Sequence, residues 1–257
     1  MNDEIDEARD WQGNEVDCAS CPHQSLLASG RCELRRSCVN DRYARRIDRF
    51  FNWNPQLAND YVAHPHFEVR AIAAKHADVF RLTPLLDDPE ETVRWNAARR
   101  LPKRLILRLR TDPHREVRIR IVSLLDDAEL VPMLTDPDYY VRLVIARRID
   151  PPLLATLMGD EEVEVRRVVA RRIPMNLLSR MSGDPDPAVR VEVAQRLTPD
   201  LLFKMRGDAD WRVRYEVASR IPLTQIGNLA DDGDAMVSEM ARSRLAGTHE
   251  LRKELNV

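Results

Sequence analysis

The chain has 257 residues, is 44% hydrophobic and 32% charged, and carries a formal net charge of −2. That composition is globular rather than disordered, and the near-neutral charge argues against nucleic acid as a partner. No uncharged apolar run approaches the ~20 residues a bilayer span needs, and residues 1–17 lack the apolar core of a secretion signal, so the expected setting is a reducing cytoplasm with no membrane role.

Residues 1–17 hold seven acids and one arginine. All four cysteines come next, spaced Cys18-x2-Cys21-x10-Cys32-x5-Cys38. In a reducing compartment, four clustered cysteines hold metal more often than they form disulfides. Zinc ribbons usually present two CxxC knuckles, whereas the second pair here is Cx5C. That tilts the expectation toward iron–sulfur ligation by four cysteines, with zinc or no metal as the alternatives. His23 lies between the second and third cysteines and is a candidate substitute ligand. Residues 31–49 carry seven arginines against three acids. They read as an offset to anionic thiolates or as an electron-transfer docking surface, and charge runs are more often solvated faces.

The organisation read from these boundaries is a cysteine module over 1–39, a linker or partial repeat over 40–63, and a repeat array over 64–257. In the linker, Ala44-Arg45-Arg46-Ile47 echoes Ala146-Arg147-Arg148-Ile149, so it reads as a distorted half repeat.

The array is a 24-residue pattern present in eight copies without insertion. It opens at His64 and recurs at Asp88, Asp112, Asp136, Asp160, Asp184, Asp208 and Asp232. A fixed period of this size means a solenoid whose units bury their apolar faces against neighbours. Counting from the leading residue, position 6 is Val in every copy, and positions 10 and 14 are apolar throughout. The i, i+4, i+8 spacing is one face of an α-helix. Asp at position 1 or 3 can cap it, and Pro, Asp or Thr usually follows its end at position 15. The remainder of each unit carries apolar positions 19 and 22, such as Leu154 and Leu157. It has room for one or two turns, so a 3₁₀ helix or a single α turn is expected.

Position 7 is Arg in seven copies, Arg70 to Arg214, and falls inside the apolar arc. A buried arginine needs a partner. The leading Asp, from its own repeat or the next, would make an Asp–Arg ladder. Positions 12 and 13 are often Arg, as in Arg99-Arg100, Arg147-Arg148 and Arg171-Arg172, and read as pointing away from the arc. They would complement the helix dipole, with i,i+4 pairs such as Glu192–Arg196 and Glu216–Arg220, or form a basic stripe for an anionic partner. Trp95 and Tyr215, at position 8, read as inter-repeat packing or as partner anchors. In the last copy Ser238 replaces the arginine, and Glu250 and Lys253 replace the apolar pair, as a solenoid end requires. There is no phosphate loop and no nucleophile–base motif, so no enzymatic activity is expected.

The run Asp-x4-Val-Arg resembles the first part of HEAT-type repeats, but the period is too short for their two full helices. The unit resembles the leucine-rich repeat variant family more closely, over residues 64–257. That resemblance implies an all-α, right-handed superhelical solenoid of alternating α and short 3₁₀ helices. Members of the family from nitrogen-fixing bacteria carry an N-terminal cysteine cluster that holds a [4Fe–4S] centre. The resemblance therefore implies that Cys18, Cys21, Cys32 and Cys38 ligate such a centre. The expected function is a scaffold that binds another protein, with the cluster as a redox or iron-responsive element. An electron-transfer protein whose solenoid selects its partner is the alternative. A purely structural cluster, or zinc, is the third reading.

Overall fold

A computed structural model describes residues 7–254, with the side chains of 248–254 excepted. Residues 1–6 of the acidic stretch, and the Glu250 and Lys253 side chains, lie outside the described residues. The chain divides into two compact units, Met1–Glu129 and Leu130–Val257. In the first, the cysteine module precedes helix Ala44–Trp53, 3₁₀ segment Pro55–Tyr61, and helices Phe67–Ala73, Glu91–Ala98 and Arg115–Ile121 with short 3₁₀ pieces between them. In the second, helices Tyr139–Arg148, Val163–Arg172, Pro187–Arg196 and Trp211–Arg220 alternate with 3₁₀ segments such as Pro151–Leu157 and Pro199–Met205, before a final helix Ala235–Glu254. Among the described residues, extended pairing is confined to two isolated bridges, Arg9–Glu15 and Glu33–Ser37. No described helix is long and apolar enough to cross a membrane.

The repeat pattern places these elements. Val at position 6 is buried in all eight copies, Val69 to Val237. Positions 19 and 22 are buried from Leu82 and Leu85 through Ile226 and Leu229, so the short helices form an apolar layer under the long ones. The full-length helices run from position 4 to position 13. They stop where position 14 turns extended, as at Ile173 and Ile221, each followed directly by proline. A proline ring clashes with a helical residue before it, which explains the stop. The last copy has Ala246 at position 15 and its helix continues for 20 residues.

The ladder resolves to the next repeat. Arg70, Arg94, Arg142, Arg166, Arg190 and Arg214 each grip the carboxylate 18 residues ahead through Nε and Nη2, at 2.7–3.1 Å. The third nitrogen, Nη1, donates to the backbone carbonyl of position 1 in the arginine's own repeat at 2.7–2.8 Å. Each Asp at position 1 also accepts the backbone N–H of position 3, as Asp184 does from Asp186 at 2.9 Å. The two aspartates thus divide the labour. Position 1 fixes the loop and the ladder, while position 3 caps the helix, as Asp138 does for Tyr140 N–H. Fork-shaped pairing of this kind suits Arg and not Lys.

Position 13 corrects the sequence reading. Its arginines do not point away. Arg172 donates to the Ala146 carbonyl at 2.6 Å, Arg196 to Ala170 and Ile173 at 2.6 and 2.9 Å, and Arg244 to Ala218 and Ile221 at 2.7 and 2.8 Å. They cap buried carbonyls at the C-terminal end of the preceding helix, groups that have no partner within it. The expected Glu192–Arg196 and Glu216–Arg220 pairs give way to this second ladder. Glu192 pairs instead with Arg167 and Arg171, and Arg220 reaches Ala194 and Leu197 carbonyls. Arg99, which ends the Trp95 helix, and Arg120 of the next helix each lie over the Trp95 ring, which is inter-repeat packing.

Candidate metal centre

The Cx5C spacing has a geometric cause. Residues 33–37 form a tight hairpin closed by Glu33 N–H to Ser37 O at 2.9 Å and Ser37 N–H to Glu33 O at 2.8 Å. Arg35 takes a left-handed conformation at its tip, φ 66°. Cys32 and Cys38 flank the closed pair and so stand opposite each other. Both are buried, 8% and 4% exposed, while Cys18 and Cys21 are half-buried. The earlier pair is brought in by a short helix, Gln24–Ala28, after which Gly30, φ 70°, lets Arg31 and Cys32 donate back to the Leu26 carbonyl.

The four sulfurs form one electrostatic group. A hydrogen bond from the Cys38 thiol lowers the Cys32 pKa, whereas that same bond, followed by burial, pushes Cys38 up. Cys18 is raised by burial and then by the charges of Cys38 and Cys21. Burial, followed by the charges of Cys21, Asp60, Cys38 and Cys32, pushes the Tyr61 phenol up to about 12. All four cysteines are free thiols. Among the described residues, no three His, Cys, Asp or Glu side chains converge tightly enough to hold one ion. Ser37, fully buried beside Cys38, leaves its hydroxyl without a partner among the described atoms, a costly state for a buried donor.

His23 does not join the thiols. Its Nε2 meets the Tyr61 hydroxyl at 2.5 Å, its ring packs on Phe50 and Tyr61, and burial lowers its pKa. It fastens the module to the first helical unit instead. Arg31, Arg36 and Arg49 do the same. Arg31 donates to the Trp53 carbonyl at 2.9 Å while Asn54 donates to the Arg31 carbonyl at 2.8 Å. Arg49 donates to the Arg36 carbonyl at 3.0 Å, and Arg36 lies over the Trp53 ring. Trp11 stacks on His66 at 5.5 Å. The module is docked on its neighbours rather than tethered to them.

Residues 40–63 hold a ten-residue helix and a seven-residue 3₁₀ segment. One repeat period before Arg70 stands Arg46, so the ladder position exists here too. Its expected partner would be residue 64, but that is His64. Arg46 turns to the buried Asp41 at 2.8 Å and to the Glu7 carbonyl at 3.0 Å. His64 in turn fills the loop role of the missing aspartate, its Nδ1 accepting His66 N–H at 3.1 Å. The repeat frame extended backward would have found Arg46; nothing in the sequence pointed to Asp41.

Three comparisons bear on the site. A family model described as "LRV protein FeS4 cluster" matches residues 8–60, the module together with helix Ala44–Trp53. An uncharacterized 27.7 kDa protein in the nifB 3′ region of Rhodobacter capsulatus is 52% identical over 96 residues. That match covers 37% of this chain and 39% of the relative's length. A solved structure, a leucine-rich repeat variant with a novel repetitive structural motif, superposes with a TM-score of 0.82 at 40% identity, covering 89% of this chain and 98% of that one.

Proposed function

The chain belongs to the leucine-rich repeat variant family, as an iron–sulfur-binding repeat protein, and from that premise we propose that Cys18, Cys21, Cys32 and Cys38 hold a [4Fe–4S] centre. The donor set supports this. It offers four thiol sulfurs, keeps His23 engaged elsewhere, and leaves the Ser37 hydroxyl in need of an acceptor. Zinc bound by the same four cysteines is the competing assignment. When bound, the group supplies reversible one-electron chemistry.

The proposed role is a non-enzymatic, cytoplasmic scaffold for another protein, with the cluster as a redox or iron-responsive element. One observation carries it: the module is locked onto helix Ala44–Trp53 and the first repeat by the Arg31–Trp53, Asn54–Arg31, Arg46–Glu7 and Trp11–His66 contacts. A change in the cluster then changes what the first repeats lean on. Four free thiols suit a reducing compartment. Electron transfer is the second reading, favoured by the half-exposure of Cys18 and Cys21, which leaves one edge of the group near solvent. Capture experiments with cluster-loaded, oxidised and apo chain distinguish them. Partner binding that changes with cluster state supports the sensor. State-independent capture combined with fast reduction by a ferredoxin-class donor supports electron transfer and overturns the sensor.

A further inference from the structure

Asn40 stands where seven of the eight repeats put an aspartate. It lies one repeat period before His64, at position 1 of the unit that contains helix Ala44–Trp53. In the units that follow, an Asp at this position accepts hydrogen bonds from the preceding arginine, as Asp88 does from Arg70. No ladder arginine precedes Asn40. Its side chain is half-buried beside the thiols, and Nδ2 donates to Cys21 Sγ at 3.7 Å. Its backbone N–H lowers the Cys38 pKa, against the larger effects of the Cys32 bond and burial. The side-chain amide therefore serves one of the four sulfurs directly, that of Cys21.

The difference between Asp and Asn at this place is the difference between an acceptor and a donor. A thiolate can only accept, so a carboxylate would repel it and an amide can bind it. Hydrogen bonds to cluster sulfurs stabilise the more negative, reduced state and raise the reduction potential. Backbone N–H donors come with the fold, whatever the side chain. The Asn40 amide is a donor that a single substitution removes.

We propose that Asn40 is a positioning residue for the cluster, setting its reduction potential through the hydrogen bond from its side-chain amide to Cys21. The proposal rests on the assignment of the four cysteines as ligands. The test uses the full chain, loaded anaerobically with iron and sulfide, and compares potentiometric titrations of the parent, Asn40→Leu, Asn40→Asp and Asn40→Gln. Asn40→Leu is expected to shift the reduction equilibrium on the order of tenfold toward the oxidised form, about 59 mV for one electron. Asn40→Asp should shift it further, and Asn40→Gln, which keeps a donor, should recover part of the loss. A purely structural residue would lower iron content without moving the potential of the clusters that remain. Equal potentials across the series at full iron content overturn the proposal. Should the substitutions prevent loading, pulsed EPR on the reduced parent chain, with 15N only in the asparagine side-chain amides, decides: a 15N coupling supports the contact, and its absence overturns it. A parent chain that takes up no iron overturns the ligand assignment itself, and the proposal with it.

Discussion

Replacing Arg166 by Ala should be among the most destabilising single changes in the array. Its guanidinium holds Asp184 through Nε and Nη2 at 2.8 and 3.1 Å and the Asp160 and Glu161 carbonyls through Nη1 at 2.7 and 3.1 Å. Both side chains are under one-tenth exposed, 9% and 5%. Truncation leaves a buried carboxylate with only the Asp186 N–H, and breaking a buried pair from one side costs roughly 3–5 kcal/mol. Adding Asp184→Asn should return a substantial part of this. Asparagine removes the stranded charge, while its side-chain oxygen still accepts the Asp186 N–H. The exposed Arg147 is the control, with less than about 0.5 kcal/mol expected for its change to Ala. Urea unfolding followed by circular dichroism, arranged as a double-mutant cycle, measures all of these. A cost for Arg166→Ala no greater than for Arg147→Ala, or additivity of the two ladder changes, would refute the reasoning.

The second ladder makes a smaller claim. Arg196→Ala removes two charge-assisted bonds from a half-exposed site and should cost about 1–2 kcal/mol, with hydrogen exchange rising at the end of helix Val163–Arg172. No change in either quantity would return position 13 to the solvent. Acid should weaken the first ladder. Arg214 holds the Asp232 pKa below its ordinary 3.8, and Asp88 is also lowered, its burial being outweighed by Arg70 and the Glu90 N–H. A depressed carboxyl stabilises the fold above its unfolded value and loses that contribution as pH falls through the folded one. The urea midpoint should therefore drop below about pH 3.8, and less steeply in Arg214→Met; equal slopes would count against the pairing. Cys32→Ser, or cluster removal, should speed hydrogen exchange in residues 40–87 and leave 136–247 protected, because a solenoid end that loses its cap frays first. Unchanged exchange in 40–87 would mean that the docking contacts do not depend on the cluster.

The fold was legible because repetition multiplies a weak signal. Val at position 6 and the apolar pair at 19 and 22 each recur, so both layers and the short second helix followed from spacing. The partner of position 7 followed from burial, since an arginine inside an apolar arc must be paired, although the choice between repeats depends on the three-dimensional structure. Position 13 misled for a physical reason. Its arginine starts on the outer side of the helix, and its long stem lies back along the neighbour to reach the carbonyls of Ala170 or Ala218, a path that a helical wheel does not contain. In the module the cysteines were plain from spacing. Their surroundings were not, because Asn40, Asp41 and Tyr61 come from a unit whose ladder had been diverted by a single residue, His64.

The central claim is that Cys18, Cys21, Cys32 and Cys38 carry an iron–sulfur centre. The most direct test is metal and acid-labile sulfide analysis of the chain purified without oxygen, beside a variant with Cys32 and Cys38 both replaced by Ser. The account predicts a brown protein with about four iron and four sulfide per chain, both lost in the variant. A colourless protein with one zinc per chain and no sulfide would contradict it.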